Sequence, residues 1–191
     1  MFSRKGKRML RIPVVFVALL ILGVAAAPWA AHQRSVASGR AVGDITPSFV
    51  VLDVTGPHKG EPICYICEYE GAPTVIAFFQ DTGEETAGLL VKLNELAQQK
   101  KALKMVAAVI SGPDGKPWLE KLAEEKGIKI PLVVFRKGKD DVAMKVYKLN
   151  AEAKNTILVS INRKVSANLT NVGVENFKLV AEAASKILGR K

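Results

Sequence analysis

The sequence predicts an α/β domain built on a central mixed β-sheet with helices on both faces, preceded by an N-terminal hydrophobic helix. Three observations carry that prediction. Continuous apolar runs of buried-strand type, "APTVIAFFQ" foremost, recur along the chain. Segments with apolar residues at helical spacing alternate with them. The alternation ends in two β-runs around a tight turn and a closing amphipathic helix, so the order reads βαβαβ, hairpin, helix, which implies a mixed sheet covered on two sides. With 191 residues, 49% hydrophobic and 24% charged, one well-packed domain is expected.

The chain opens with "SRKGKRMLR" and then "IPVVFVALLILGVAAAPWAA", a charged region followed by an uncharged apolar one. This is the pattern that export machinery reads, so residues 1–31 are taken as a signal peptide or signal anchor. The apolar core, residues 14–27, is short for a span, but extension through residue 31 brings it to about 20 residues, enough to cross a bilayer. Cleavage signals are poor: Ala27 is followed by Pro28, and a cut after Ala31 places bulky Trp29 where a small residue is wanted. An uncleaved anchor is therefore favoured, with the domain on the periplasmic or extracytoplasmic side; a cleaved leader would make the protein secreted or periplasmic. Residues 32–44, "HQRSVASGRAVGD", are small and polar and read as a flexible tether, with the folded domain at 45–191.

Net charge is +10, yet residues 1–40 hold seven basic and no acidic residues, which leaves 21 basic against 18 acidic in the rest. That nearly balanced body has no Lys/Arg run interleaved with aromatics, so nucleic acid is excluded as a partner. With two histidines in the chain, no Ser-His-Asp set can be assembled, and the glycines lack phosphate-loop spacing.

Within the domain, "PSFVVLDVTG" is β-rich and closes at Gly56-Pro57, and "APTVIAFFQ" is the buried central strand. "EETAGLLVKLNELAQQKK" sets Leu89, Leu90, Leu93, Leu96 and Ala97 at helical spacing. "KMVAAVIS" is a second buried strand, ended by "GPDGKP". The next helix, "PWLEKLAEEKG", starts at Pro117 and stops at Gly127. "IKIPLVVF" is extended; "DDVAMKVYKLN" is a short helix with Asp140 and Asp141 at its start; "NTILVSINRKVSANLTNV" is a hairpin turning at "NRK"; and "VENFKLVAEAASKIL" closes the chain as an amphipathic helix.

The only two cysteines, Cys64 and Cys67, stand as C-x-x-C ahead of the central strand. A strict strand would point residues three apart to opposite faces, so a disulfide between them requires "CYIC" to turn. An exported domain with one such pair is expected to be oxidised at rest. Four readings fit the pair: a structural disulfide, a reversible dithiol, a copper or zinc site completed by His58 and Glu68, or two inert buried thiols. Tyr65 and Tyr69 read as half-buried strand aromatics or as a recognition surface around it. The triplet Asn168-Leu169-Thr170 fits a glycosylation acceptor, a pattern that also arises by chance.

The segments "VGDITPSFVVLDVTG", "GAPTVIAFF", "IKIPLVVFRKGKDDVAMKVYKLN" and "TILVSINRKVSANL", in that order, resemble the redoxin branch of the thioredoxin fold over roughly residues 43–188. That branch includes the thiol-specific antioxidant proteins and the membrane-tethered thioredoxin-like proteins of cytochrome maturation. The resemblance implies a thioredoxin-like fold and thiol chemistry, with thiol or disulfide proteins of the cell envelope as partners and no cofactor. It also implies a cysteine opening the helix after the "VIAFF" strand, where this chain reads "QDTGEETAG" with none, so peroxide reduction of the usual kind does not carry over. Asp81, Thr82, Glu84 and Glu85 there read as helix-capping residues. The family's cis proline has no match at Asn155-Thr156; Pro131 is the alternative cis position if the register differs. Cys64 and Cys67 are thus the catalytic candidates, for thiol-disulfide exchange or redox sensing. The alternatives are a non-catalytic redoxin-like binding module with a structural disulfide, and a copper or zinc carrier. No helix start is expected to serve Cys64, which leaves Lys59 or local N–H groups to hold a thiolate.

Overall fold

The computed structural model describes residues 36–189. Its sheet has seven strands: β1 (Val51–Asp53), β2 (Pro62–Ile63), β3 (Thr74–Phe79), β4 (Lys104–Val109), β5 (Leu132–Val134), β6 (Asn155–Ile161) and β7 (Lys164–Thr170), in the order β2-β1-β5-β4-β3-β6-β7. β3 runs parallel to β4 and antiparallel to β6, and all six of its residues are buried. The continuous apolar run thus sits in the middle of the sheet, where side chains on both faces meet core.

Five helices cover the sheet: α1 (Tyr65–Glu68), α2 (Glu84–Gln99), α3 (Lys116–Lys126), α4 (Val142–Val146) and α5 (Lys178–Leu188). The alternation of β3 separates two cores. Val75, Ala77 and Phe79 point to one face with Leu89, Leu90 and Leu93 of α2, Leu119 of α3 and Val180 of α5. Ile76 and Phe78 point to the other, with Tyr65 and Ile66 of α1, Ala143 of α4 and an aromatic group of Phe49, Phe135 and Tyr147. Helices on both faces of a mixed sheet are therefore present as expected, the three long ones on one side and the two short ones on the other. The predicted N-terminal hydrophobic helix lies outside the described residues. Among the described residues no helix is long and apolar enough to cross a membrane.

Local signals account for several boundaries. Gly127, at φ 61°, ends α3 in the left-handed region that only glycine enters cheaply. The Asp141 side chain caps α4 by accepting the Ala143 N–H at 3.0 Å. The β6–β7 hairpin turns through Asn162 and Arg163, both at positive φ, the geometry that matches strand twist. Every described peptide bond is trans, that of Pro131 included.

The tether expected at residues 32–44 is corrected over its described part, because residues 36–44 pack onto the sheet. Ser38 is buried with its Oγ 2.6 Å from Thr156 Oγ1, and Asn168 Nδ2 donates to the carbonyls of Ser38 and Arg40. Further along, Gly43 and Thr46 donate to Val165 and Arg163 carbonyls while Val165 donates to Asp44, a short ladder along the outer edge of β7. The packed body thus begins before Ile45. Composition misjudged this stretch because its contacts are polar and backbone-mediated, without an apolar period.

Candidate functional site

The chain around the cysteines folds as a helical turn. Cys64 is the N-cap residue of α1, with extended backbone, and its Sγ accepts the Cys67 N–H at 3.2 Å. The pair is joined as a disulfide with Cα atoms 5.3 Å apart, within ordinary disulfide reach. The turn required for "CYIC" is present, but the expectation that no helix start serves Cys64 is corrected: the start is Cys64 itself. Four residues are too few for a helical period to show in sequence.

Three anchors seat α1 without help from the S–S bond. Ile66 is buried in the second core. The Tyr65 hydroxyl donates to Asp53 Oδ2 at 2.6 Å, and the Tyr69 hydroxyl donates to the Met105 carbonyl at 2.7 Å. Asp53 is fully buried and its carboxylate also accepts the N–H groups of Gly56 and His58, each at 2.8 Å. A buried carboxylate with three donors is satisfied, and it organises the loop leading to the cysteines. Gly56 has no side chain because a Cβ there would run into the Tyr65 hydroxyl and the Asp53 carboxylate. Burial, then the bond and charge of Asp53, push the Tyr65 phenol well above its ordinary range; burial and then Glu68 do the same for Tyr69. Tyr65 and Tyr69 are thus helical neighbours spaced four apart, and the reading of them as strand aromatics is corrected.

Exposure is uneven across the pair: Cys67 is exposed and Cys64 half-buried. His58 Nε2 lies 2.8 Å from Glu68 Oε2, and its ring meets that of Tyr65 edge-on at 6.0 Å. Among the described residues no group of three or more metal-ligand side chains comes together. Lys59, considered as a thiolate's cation, instead pairs with Glu120 of α3 at 3.1 Å.

At the place after β3, where the resemblance implies a cysteine, the capping reading is corrected in part: Gly83 is the N-cap residue of α2 and no side chain bonds the free N–H groups of the helix. Asp81 Oδ1 accepts the Gly83 N–H at 3.3 Å and the Thr86 hydroxyl at 3.1 Å, while Glu84 and Glu85 occupy the first turn of α2. Glu85 reaches Lys154 at 3.1 Å. Asn155 is pinned to Val172 through both its amide atoms. In the proposed acceptor triplet, the Nδ2 of Asn168 is already engaged with the chain's own carbonyls.

Alongside α1 lies a cleft of about 330 Å³, whose apolar floor includes Tyr65, Tyr69, Leu103 and Met105. Lys101, Lys104 and Lys129 stand around it, at the starts of β4 and β5. Asp53 and this cleft escaped sequence reasoning. An acid inside the apolar run "FVVLDV" was a signal for the first; Lys129 is far in sequence from Lys101 and Lys104, so the cleft offered none.

The chain matches no protein-family model and no curated protein. Solved structures share its fold. Peroxidoxin BcpB from Mycobacterium tuberculosis superposes with a TM-score of 0.60 at 18% identity, over 77% of this chain and 97% of that one. PrxQ from Xylella fastidiosa, as a cysteine-to-serine variant, gives 0.62 at 12% identity over 80% and 99%. The thioredoxin domain of a thiol-disulfide oxidoreductase from Bacteroides vulgatus gives 0.57 at 13% over 75% and 96%. The fold is thioredoxin-like.

Proposed function

We propose that the protein carries out thiol-disulfide exchange, or senses redox state, through Cys64 and Cys67, in the cell envelope. The observation that carries this reading is a disulfide with one exposed cysteine, on a helical turn that is held in place by other bonds. Closing so small a ring stabilises by only about 2 kcal/mol through chain entropy, and the Asp53–Tyr65 and Tyr69–Met105 bonds hold α1 whether or not the sulfurs are joined. The bond is thus free to cycle.

The exposure of the pair sets the direction of attack. A partner thiolate attacks the Sγ of Cys67, the more exposed residue of the pair, the S–S bond breaks, and its electron pair leaves on Cys64 Sγ, where the Cys67 N–H receives it. A second partner thiolate then attacks the partner's own sulfur in the mixed disulfide and expels Cys67 as thiolate. The partner leaves oxidised, and the pair, after taking two protons, remains as a dithiol. Run backwards with a disulfide partner, the same steps reoxidise it.

Titrating the full-length protein against a glutathione redox buffer should give a reduction potential between about −120 and −270 mV, and alkylation across pH should reveal one thiolate with a pKa below about 8.5. A potential below about −300 mV, with a reactivity midpoint no lower than a model thiol's, would replace this reading with the non-catalytic binding module. Export through residues 1–31 and retention as a membrane anchor belong to the same proposal. Residues 1–44 fused to a reporter should carry it across the membrane and keep it in the membrane fraction; a soluble, shortened product would mean a cleaved leader, and a cytoplasmic one would end the envelope assignment.

A further inference from the structure

We infer that the cleft beside α1 is a docking site for an acidic segment of the partner protein, next to the cysteine that partner presents; this rests on the exchange reading above. The cleft and the pair share one short helix. Tyr65, Glu68 and Tyr69 line the cleft, while Cys64 and Cys67 alternate with them along the same turn. At about 100° per residue, Tyr65 and Tyr69 share one side of α1, Cys67 falls on the opposite side, and Glu68 lies between Cys64 and the tyrosines. Glu68, on the cleft wall, is bonded directly to Cys67, so a chain that leaves the cleft past Glu68 reaches the pair.

Charge chooses the occupant. Lys101, Lys104 and Lys129 are exposed, and among the described residues none stands within ion-pair distance of a carboxylate. The acid on the lining, Glu68, is engaged by His58. Three unopposed cations around an apolar floor attract and orient an anionic segment.

The positions of these lysines are fixed in advance. The Leu103 N–H bonds to the Lys100 carbonyl, and the Lys104 N–H to the Pro73 carbonyl. Buried Asn94 accepts the Lys129 N–H at 2.8 Å and donates to the Gly127 carbonyl. The backbone bearing each cation is tied down, so a partner orders only the lysine side chains themselves.

The test uses oxidised full-length protein and three synthetic peptides, identical except that the single cysteine is flanked by aspartates, serines or lysines. The readout is the rate constant for mixed-disulfide formation at low and high salt. The aspartate peptide should react about tenfold or more faster than the serine peptide at low salt, and the lysine peptide slower. The spread should collapse near 1 M salt, where screening shortens to about 3 Å. In a K101E/K104E/K129E variant the order should invert. Equal rates for the three peptides at low salt, with 2-mercaptoethanol still opening the disulfide, would overturn the docking site and leave the exchange reading standing. Failure of the peptides and of 2-mercaptoethanol alike would remove both.

Discussion

Replacing Asp53 with alanine is expected to cost the fold about 3–5 kcal/mol. The side chain is fully buried and accepts bonds from the Gly56 and His58 N–H groups and the Tyr65 hydroxyl. Removing it leaves three donors without their acceptor, each worth about 1–3 kcal/mol when stranded away from water, less whatever the exposed side of the loop recovers. Asp53→Asn should fall between, because its amide must turn an NH₂ toward one of those donors. Tyr65→Phe removes one donor and should cost about 1–2 kcal/mol. Urea unfolding of the three variants and of the D53A/Y65F double variant measures the coupling. A loss below 1 kcal/mol for D53A, or simple additivity in the cycle, would mean that the pair does not hold α1.

Phe78→Ala should destabilise by a similar amount, about 3–5 kcal/mol, for a different reason. Phe78 is 1% exposed at the centre of an aromatic group, with ring centroids 5.8 Å from Phe49, 6.0 Å from Phe135 and 4.9 Å from Tyr147. Truncation forfeits the transfer of the ring from water and leaves a cavity between partners locked in the sheet, in the N-terminal approach and in the turn after α4. Phe78→Leu keeps most of the volume and should lose less than half as much. The midpoint of denaturant unfolding should move without a change of slope. If the alanine variant cost no more than the leucine one, the core would be collapsing around the gap.

What the sequence disclosed depended on the length of the signal. The "VIAFF" run reads as interior because apolar residues at every position cannot satisfy a one-sided strand, and α2 and α5 span enough turns for their period to show. The cysteine pair was found by spacing, and the need for a turn there followed from strand geometry. The turn's helical character did not follow. α1 has four residues and β2 two, below the reach of any periodicity. The tether was misjudged because Ser38, Gly39 and Arg40 attach through a hydroxyl, a backbone N–H and a guanidinium, polar groups that composition counts as loop. The cleft joins Lys101 and Lys104 to Lys129 across a whole helix, so only the fold brings them together.

The ladder between residues 43–46 and the start of β7 has a consequence for how the molecule behaves among its own copies. A sheet with free ends offers rows of unpaired N–H and C=O groups on which another chain can add a strand. Here β2, at one end, is two residues long and includes Pro62, which has no N–H to offer. At the other end, β7 is the last and one of the longest strands, and the Gly43, Asp44 and Thr46 backbone already takes the bonds of Arg163 and Val165. The polar approach segment thus shields the first part of that edge, and a chain clipped after Thr46 would present β7 as a template for self-association.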